Sequence, residues 1–360
     1  MRKFHPLKVL SVAPEASDAL QIVLEVPDAL KQEYRGAPGQ HVVVCTRRGE
    51  EELRRTYSLV NAPGEWPLRI VPRVLPHGRM SVQLAEELRP GQTLEVLPPN
   101  GSFTPRTAAA AGTYVAFAAG CGITPVLSVV RALLAADAAR VLLFYGNTGT
   151  ARAMCLEELF ALKDRYLTRL ALHFVMSREP QEVQLYNGRL DDTRVREFAR
   201  RLFEPRAVRE YFVCGPGNMI ESVAATLRAL GVEPARIHTE HFTLATTEAG
   251  AAAREAQPAP AAPPLAAEAQ VSILMDGRRR SFTMKVQGET VLDGAARAGI
   301  ELPFSCRAGV CSTCRTKVVA GEVTMTQNYA LEDWELEQGY VLACQSHIKT
   351  APLELDYDEK

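Results

Sequence analysis

The residues best suited to chemistry crowd into the last sixth of the chain. Cys306, Cys311, Cys314 and Cys344 follow the spacing C-x4-C-x2-C-x29-C. Four thiolates at this spacing suit a [2Fe–2S] cluster, and the small residues between them, such as Ala308, Gly309 and Ser312, let a loop wrap closely with its N–H groups aimed at sulfur. A structural zinc site is the competing reading. Zinc motifs pair two short cysteine turns more often, and only one short turn is present here.

Four further patterns carry possible binding chemistry. Arg55-Thr56-Tyr57-Ser58 follows Pro38-Gly-Gln-His-Val42 in a β-rich region and is read as opening a strand. By itself it also suits an ordinary strand with an exposed arginine and a half-buried tyrosine. Gly78-Arg79-Met80-Ser81 opens a helical stretch read as Val82–Leu88, and a glycine-led helix start is a ready anion site through its free N–H groups and dipole. Gly120-Cys-Gly122-Ile123-Thr124-Pro125 lies between a strand and a helix. Its glycines admit a phosphate, and proline suits a first helical turn, although the G-x-G-x-x-G fingerprint is not met. Ser177-Arg178 ends an apolar strand, where a hydroxyl and a planar guanidinium could hold a phosphate. Cys214-Gly215-Pro216 and Glu240-His-Phe242 end two more strands. Core or edge roles also suit Glu240 and Phe242.

The surrounding elements fall into three regions. Residues 1–108 hold short β-runs broken by turns, which argue for an antiparallel β-barrel. Pro72 and Pro76 place the run from Leu68 at an edge or bulge. Residues 109–243 alternate strands with helices, the pattern of an α/β parallel sheet covered on both faces. Residues 244–269 are rich in Ala and Pro, with Pro258, Pro260, Pro263 and Pro264, and read as a semi-extended tether. Residues 270–360 open with a hairpin about Asp276-Gly277, then a short helix Val291–Ala298, then the cysteines.

Composition narrows the function classes. The chain has 360 residues, 41 Lys plus Arg and 42 Asp plus Glu, for a net charge of −1. Nothing in that balance favours nucleic acid or an anionic membrane. No run of 18 apolar residues suggests a membrane span, and the start lacks the apolar stretch of a secretory signal. A cytoplasmic protein is expected, with its cysteines reduced.

Pro303-Phe-Ser-Cys306 through Cys314, with Tyr340-Val-Leu-Ala-Cys344-Gln345, resembles the plant-type ferredoxin family, which implies a β-grasp domain with a surface [2Fe–2S] cluster. The first two regions together resemble the ferredoxin–NADP reductase superfamily. That resemblance implies that Arg55 grips the flavin pyrophosphate, Thr56 lies along the same site, Tyr57 stacks on the isoalloxazine and Ser58 sits near its reactive nitrogen. It assigns a second phosphate contact to Gly78, Arg79, Met80 and Ser81. His77 stands where many members have glycine, which leaves FAD favoured over FMN. The resemblance further gives the nicotinamide nucleotide to Gly120, Gly122, Ile123, Thr124 and Pro125. Gly215 and Pro216 join them, and Cys214 lies beside the nicotinamide. Ser177, Arg178 and Tyr186 resemble a 2′-phosphate site, so NADPH is favoured over NADH. Phe242 resembles the ring covering the far flavin face, and Glu240 an acid near the reacting atoms.

The order of the modules resembles the reductase components of bacterial aromatic-compound oxygenases. Phe4-His-Pro-Leu7, Gln327-Asn-Tyr-Ala-Leu331 and Glu337-Gln-Gly-Tyr-Val-Leu342 extend that likeness over nearly the whole chain. It implies an oxidoreductase that takes two electrons from NADPH into FAD and passes them singly through the cluster to an oxygenase component, here a di-iron multisubunit oxygenase. A Rieske-type dioxygenase or a steroid hydroxylase is the alternative acceptor. A non-catalytic redox-sensing or zinc-binding module is the alternative of another class.

Overall fold

In the computed structural model, which describes residues 3–49, 51–106, 110–136, 138–242, 268–331 and 333–359, the chain divides into two units. One spans 4–242 and the other 243–360 with the first three residues. Residues 243–267, which hold most of the expected tether 244–269, lie outside the described residues.

The first unit begins with six strands, β1 (His5–Ala16), β2 (Ala19–Glu25), β3 (His41–Arg48), β4 (Glu51–Ser58), β5 (Leu68–Ile70) and β6 (Thr93–Asn100). They pair in the order β4-β3-β6-β1-β2-β5, antiparallel throughout. An antiparallel bridge from Leu59 to Ile70 joins the end strands, and the Val60 N–H donates to the Arg69 carbonyl at 3.2 Å. These contacts close the sheet into a barrel. Strand alternation sends Leu7, Val9, Ile22, Leu24, Val42, Val44, Leu94 and Val96 into one core. β5 is an end strand, as the flanking prolines require.

Two boundaries in this barrel region differ from the sequence reading. Arg55–Ser58 closes β4 rather than opening a strand, because the register from His41–Ser58 to Arg48–Glu51 draws the charged segment into the pairing. An end strand tolerates such charge, and Leu53 alone of that segment turns inward. The next helix is Arg79–Glu87 rather than Val82–Leu88. Gly78 takes the N-cap, and Met80 anchors the first turn in the barrel core.

Five parallel strands follow, β7 (Gly112–Ala119), β8 (Ala139–Asn147), β9 (Leu170–Met176), β10 (Tyr211–Gly215) and β11 (Ile237–His241), in the order β11-β10-β7-β8-β9. Tyr114, Ala116, Val141 and Leu143 face one core, while Val115, Phe117, Leu142 and Phe144 face another. Both faces are therefore covered, which is why these strands read as continuous apolar runs. The helix Ile123–Ala135 is apolar almost all round because Ala19, Val60, Val71 and Phe103 of the barrel region join its core together with the sheet. Ser128 Oγ completes the seam, donating to the Asn61 carbonyl at 2.6 Å and accepting from the Gly39 N–H at 3.2 Å.

The second unit carries β12 (Glu268–Met275), β13 (Arg278–Lys285), β14 (Arg315–Met325), β15 (Tyr340–Leu342) and β16 (Ser346–Asp356), ordered β13-β12-β16-β14-β15. Asp276 and Gly277 turn the first hairpin with left-handed backbone, φ 53° and 68°, the geometry that matches strand twist in a two-residue loop. The helix Val291–Arg297 buries Val291, Leu292 and Ala295 against the sheet, and Thr290 caps it by accepting from the Asp293 N–H. A mixed sheet with one helix across it is the β-grasp arrangement.

Candidate functional site

The barrel rim presents the first group. Ser58 ends β4 opposite His41, and its Oγ is buried with no hydrogen-bond partner among the described residues. A buried hydroxyl without a partner is costly, so it fits a bound group that completes it. Tyr57 is half-buried, and burial pushes its phenol above the ordinary range. Thr56 is half-buried and Arg55 exposed, with Arg55 Nη1 donating to the Arg54 carbonyl at 2.7 Å.

At the helix Arg79–Glu87, the first-turn N–H groups of Arg79, Met80 and Ser81 have no acceptor within the helix. A Cβ on Gly78 would stand 2.3 Å from Ser81 Oγ, so only glycine permits this tight approach. Ser81 Oγ is committed to the Leu75 N–H at 3.2 Å, and the Arg79 side chain to Glu51. The turn therefore offers backbone N–H groups to an anion, not those two side chains.

The second group lies at the carboxyl ends of the parallel strands, where the strand order reverses between β7 and β10. Ligands of open α/β sheets bind at such a crevice. Gly120–Gly122 forms a short 3-10 turn leading into the helix Ile123–Ala135. A Cβ on Gly122 would stand 2.1 Å from the Cys214 carbonyl oxygen, so glycine is required for the loop to lie against the end of β10. Thr124 Oγ1 donates to the Cys121 carbonyl at 2.9 Å, and Pro125 sits in the first turn. Gly215 ends β10 and Pro216 caps the helix Gly217–Ala229.

Barrel and sheet residues meet beside this crevice. Cys214 is fully buried and pairs in register with Glu240 on β11. Burial first, then Glu240 and Cys121, push its thiol well above the ordinary value, so it stays protonated. Glu240 Oε1 lies 3.5 Å from His41 Nδ1, and Ser58 is the strand partner of that same histidine. Phe242 packs, half-buried, against the core that contains Cys214. The sequence reading gave His41 no role. Its only signal was a polar residue directly before the apolar run Val42–Cys45.

Arg73 was likewise passed over. Its guanidinium lies 3.9 Å from the Cβ position of Gly120, donates to Asp18 Oδ2 at 3.3 Å and to the Arg152 carbonyl at 3.0 Å. Nothing in its local sequence separates it from a solvated loop arginine.

At the end of β9, Ser177 is half-buried and Arg178 exposed. Tyr186 lies in a short turn with its OH 2.9 Å from His173 Nδ1 and its ring stacked on that imidazole at 5.6 Å.

In the second unit the four cysteines converge. Cys306 Sγ accepts hydrogen bonds from the thiols of Cys311 and Cys344, and Cys344 bonds to Cys314 in turn. These bonds hold the Cys306 thiol low and its neighbours high. Arg307 and Ser312, each directly after a cysteine, take left-handed backbone at φ 54° and 46°. The turn after Cys306 sends the N–H groups of Ala308 and Val310 to its sulfur, the first at 3.4 Å. No three His, Cys, Asp or Glu side chains among the described residues are grouped to hold a single metal ion. The contacts instead link 311 to 306, 306 to 344 and 344 to 314, and a run of four thiols fits two irons taking two thiolates each.

Residues 7–104 match the oxidoreductase FAD-binding domain family, 117–225 the oxidoreductase NAD-binding domain family and 273–349 the 2Fe-2S iron-sulfur cluster binding domain family. The chain is 36% identical over 365 residues to a component protein of the 1,2-phenylacetyl-CoA epoxidase of Escherichia coli (strain K12), covering 100% of this chain and 99% of that protein. It is 32% identical over 360 residues to the ferredoxin reductase component of 3-ketosteroid-9-alpha-monooxygenase from Rhodococcus rhodochrous, covering 98% and 96%. The solved structure of phthalate dioxygenase reductase shares the fold, with a TM-score of 0.59 at 24% identity over 98% of each chain. No helix among the described residues is long and apolar enough to cross a membrane.

Proposed function

This chain belongs to the family of oxygenase reductase components that join FAD-binding, NAD-binding and [2Fe–2S] domains, and from that premise we propose that it draws electrons from NADPH and delivers them to the oxygenase subunits of a di-iron phenylacetyl-CoA epoxidase. The observation that supports the acceptor is the end-to-end match at 36% identity to a component of a 1,2-phenylacetyl-CoA epoxidase.

NADPH and FAD supply two-electron chemistry and the cluster one-electron chemistry. The chain's own residues bind and orient. Arg55 with Thr56, and the N–H groups of Arg79, Met80 and Ser81 in the turn that Gly78 opens, would hold the flavin pyrophosphate. Tyr57 offers its ring to the isoalloxazine, and the unpartnered Ser58 Oγ is the hydrogen-bonding group left for its edge. Gly120 to Pro125, with Gly215 and Pro216, let the nicotinamide nucleotide approach backbone. The neutral Cys214 thiol would lie beside the nicotinamide without charging it, Glu240 would stand near the reacting atoms, and Phe242 would cover the far face of the flavin. Ser177 and the exposed Arg178 favour a 2′-phosphate, and Tyr186 supports that end through His173. Cys306, Cys311, Cys314 and Cys344 ligate the cluster.

Anaerobic NADPH titration followed by addition of purified oxygenase tests the whole scheme. Bleaching of flavin and cluster, then product from phenylacetyl-CoA, is expected. Turnover with a 3-ketosteroid 9α-hydroxylating oxygenase and none with the epoxidase would replace the acceptor, the reading that the 32% relative favours. Absence of bleaching would remove the scheme.

A further inference from the structure

Three strand ends converge beside the cysteines. β14 begins at Arg315 directly after Cys314, β15 ends at Leu342 two residues before Cys344, and β16 ends at Asp356. β14 runs antiparallel to both of the others, with Arg315 opposite Leu342 and Lys317 opposite Asp356, so all three ends lie at one end of the sheet. Thr316 Oγ1 ties them by donating to the Asp356 carbonyl at 2.9 Å.

Tyr357 is the next residue. Its N–H donates to the Leu274 carbonyl at 2.9 Å, which fixes the backbone. The side chain packs against the core that includes Cys314 and Cys344. The residue as a whole is half-exposed, yet its Oη is buried and has no hydrogen-bond partner among the described residues. A tyrosine at a surface ordinarily points its oxygen to water and buries the ring. This one turns its oxygen inward. The sulfurs acting electrostatically on it are those of Cys314 and Cys344. A second buried hydroxyl, Ser305 Oγ, next to Cys306, is also without a partner. Two orphaned hydroxyls at one cysteine group mark acceptors that belong to a bound group.

We propose that the Tyr357 hydroxyl donates a hydrogen bond to an inorganic sulfide of the [2Fe–2S] cluster, on its Cys314–Cys344 side, and thereby raises its reduction potential. A phenol keeps its proton at neutral pH and can donate, and the potential of such clusters depends on hydrogen bonds to their sulfurs. The added electron makes the sulfurs better acceptors, so the bond strengthens on reduction. Tyr357 is a tuning residue, and the inference rests on the assignment of the four cysteines as ligands.

The test is Tyr357→Phe in the full-length holoprotein, read by the cluster midpoint potential and by resonance Raman spectra in H2O and D2O. The variant keeps the ring and should fold. The expected result is a lower cluster midpoint with an unmoved flavin midpoint, the shift approaching a tenfold change in the reduction equilibrium, or 59 mV for one electron. The deuterium sensitivity of the iron–sulfur stretching bands should fall as well. In cluster-free protein the same change removes a buried unpaired hydroxyl and should leave stability level or slightly higher. An unchanged midpoint with unchanged deuterium shifts overturns the proposal while the cluster stays in place. A wild-type protein with no cluster spectrum overturns the cysteine assignment instead.

Discussion

His41 Nδ1 stands 3.5 Å from Glu240 Oε1, with the two side chains 4% and 10% exposed. The histidine comes from the barrel and the glutamate from the last strand of the parallel sheet. Ser58 is the strand partner of the first, and Cys214 of the second. Two residues 199 positions apart thus join the flavin side of the unit to its nicotinamide side.

Replacing His41 by Leu should destabilise the first unit by about 1–3 kcal/mol, because the Glu240 carboxylate then loses its buried partner. Reduction of the flavin by NADPH should slow as well. A double-mutant cycle with Glu240→Leu, read by urea unfolding, checks the coupling. Additive effects would show that the contact carries no energy.

Gly122→Ala forces a methyl to within 2.1 Å of the Cys214 carbonyl oxygen. The loop must shift, at a cost of about 1–3 kcal/mol. NADPH-dependent bleaching should weaken far more than FAD retention, and stopped-flow absorbance beside a flavin release assay separates the two.

Burial, with Lys163 adding to it, holds the His173 pKa below its ordinary 6.5. Above that pH, folded and unfolded chains both carry the ring neutral. Below it the unfolded chain takes up a proton that the folded chain resists, so stability falls as pH drops from 6.5 toward the folded value. His173→Asn should flatten that slope in urea midpoints measured on either side of neutrality. His241 shifts the same way through burial and leaves a residual slope.

Cys311→Ser should abolish electron delivery to one-electron protein acceptors while NADPH still bleaches the flavin. The four cysteines and the Arg55–Ser58 run belong to separate units, each with its own core. Loss of both activities in folded protein would refute the division of labour.

Arg178→Ala should narrow the preference for NADPH over NADH about tenfold, the size of a lost charge-assisted hydrogen bond to phosphate. The ratio of kcat/KM for the two nucleotides measures it. An unaltered ratio removes Arg178 from the site.

Chemistry that depends on neighbours in the chain was readable before any folding was known. The cysteine loop works through residues a few positions apart, so its spacing exposes it, whereas the Arg55–Ser58 run and the glycine loop at Gly120 are set apart from an ordinary strand and turn only by their resemblance to a family. Continuous apolar runs separated by helical stretches likewise revealed the parallel strands, since both faces of that sheet are covered. The beginning of β4 and the helix start at Arg79 were misplaced because pairing register and a buried Met80 decide them, and neither leaves a local mark.

Contacts between distant segments were settled only in three dimensions. The meeting of His41 with Glu240, the approach of Gly122 to Cys214 and the inward Tyr357 hydroxyl all depend on which strands lie side by side. Strand order follows from burying the most apolar surface across the whole fold, and no window of sequence contains that sum.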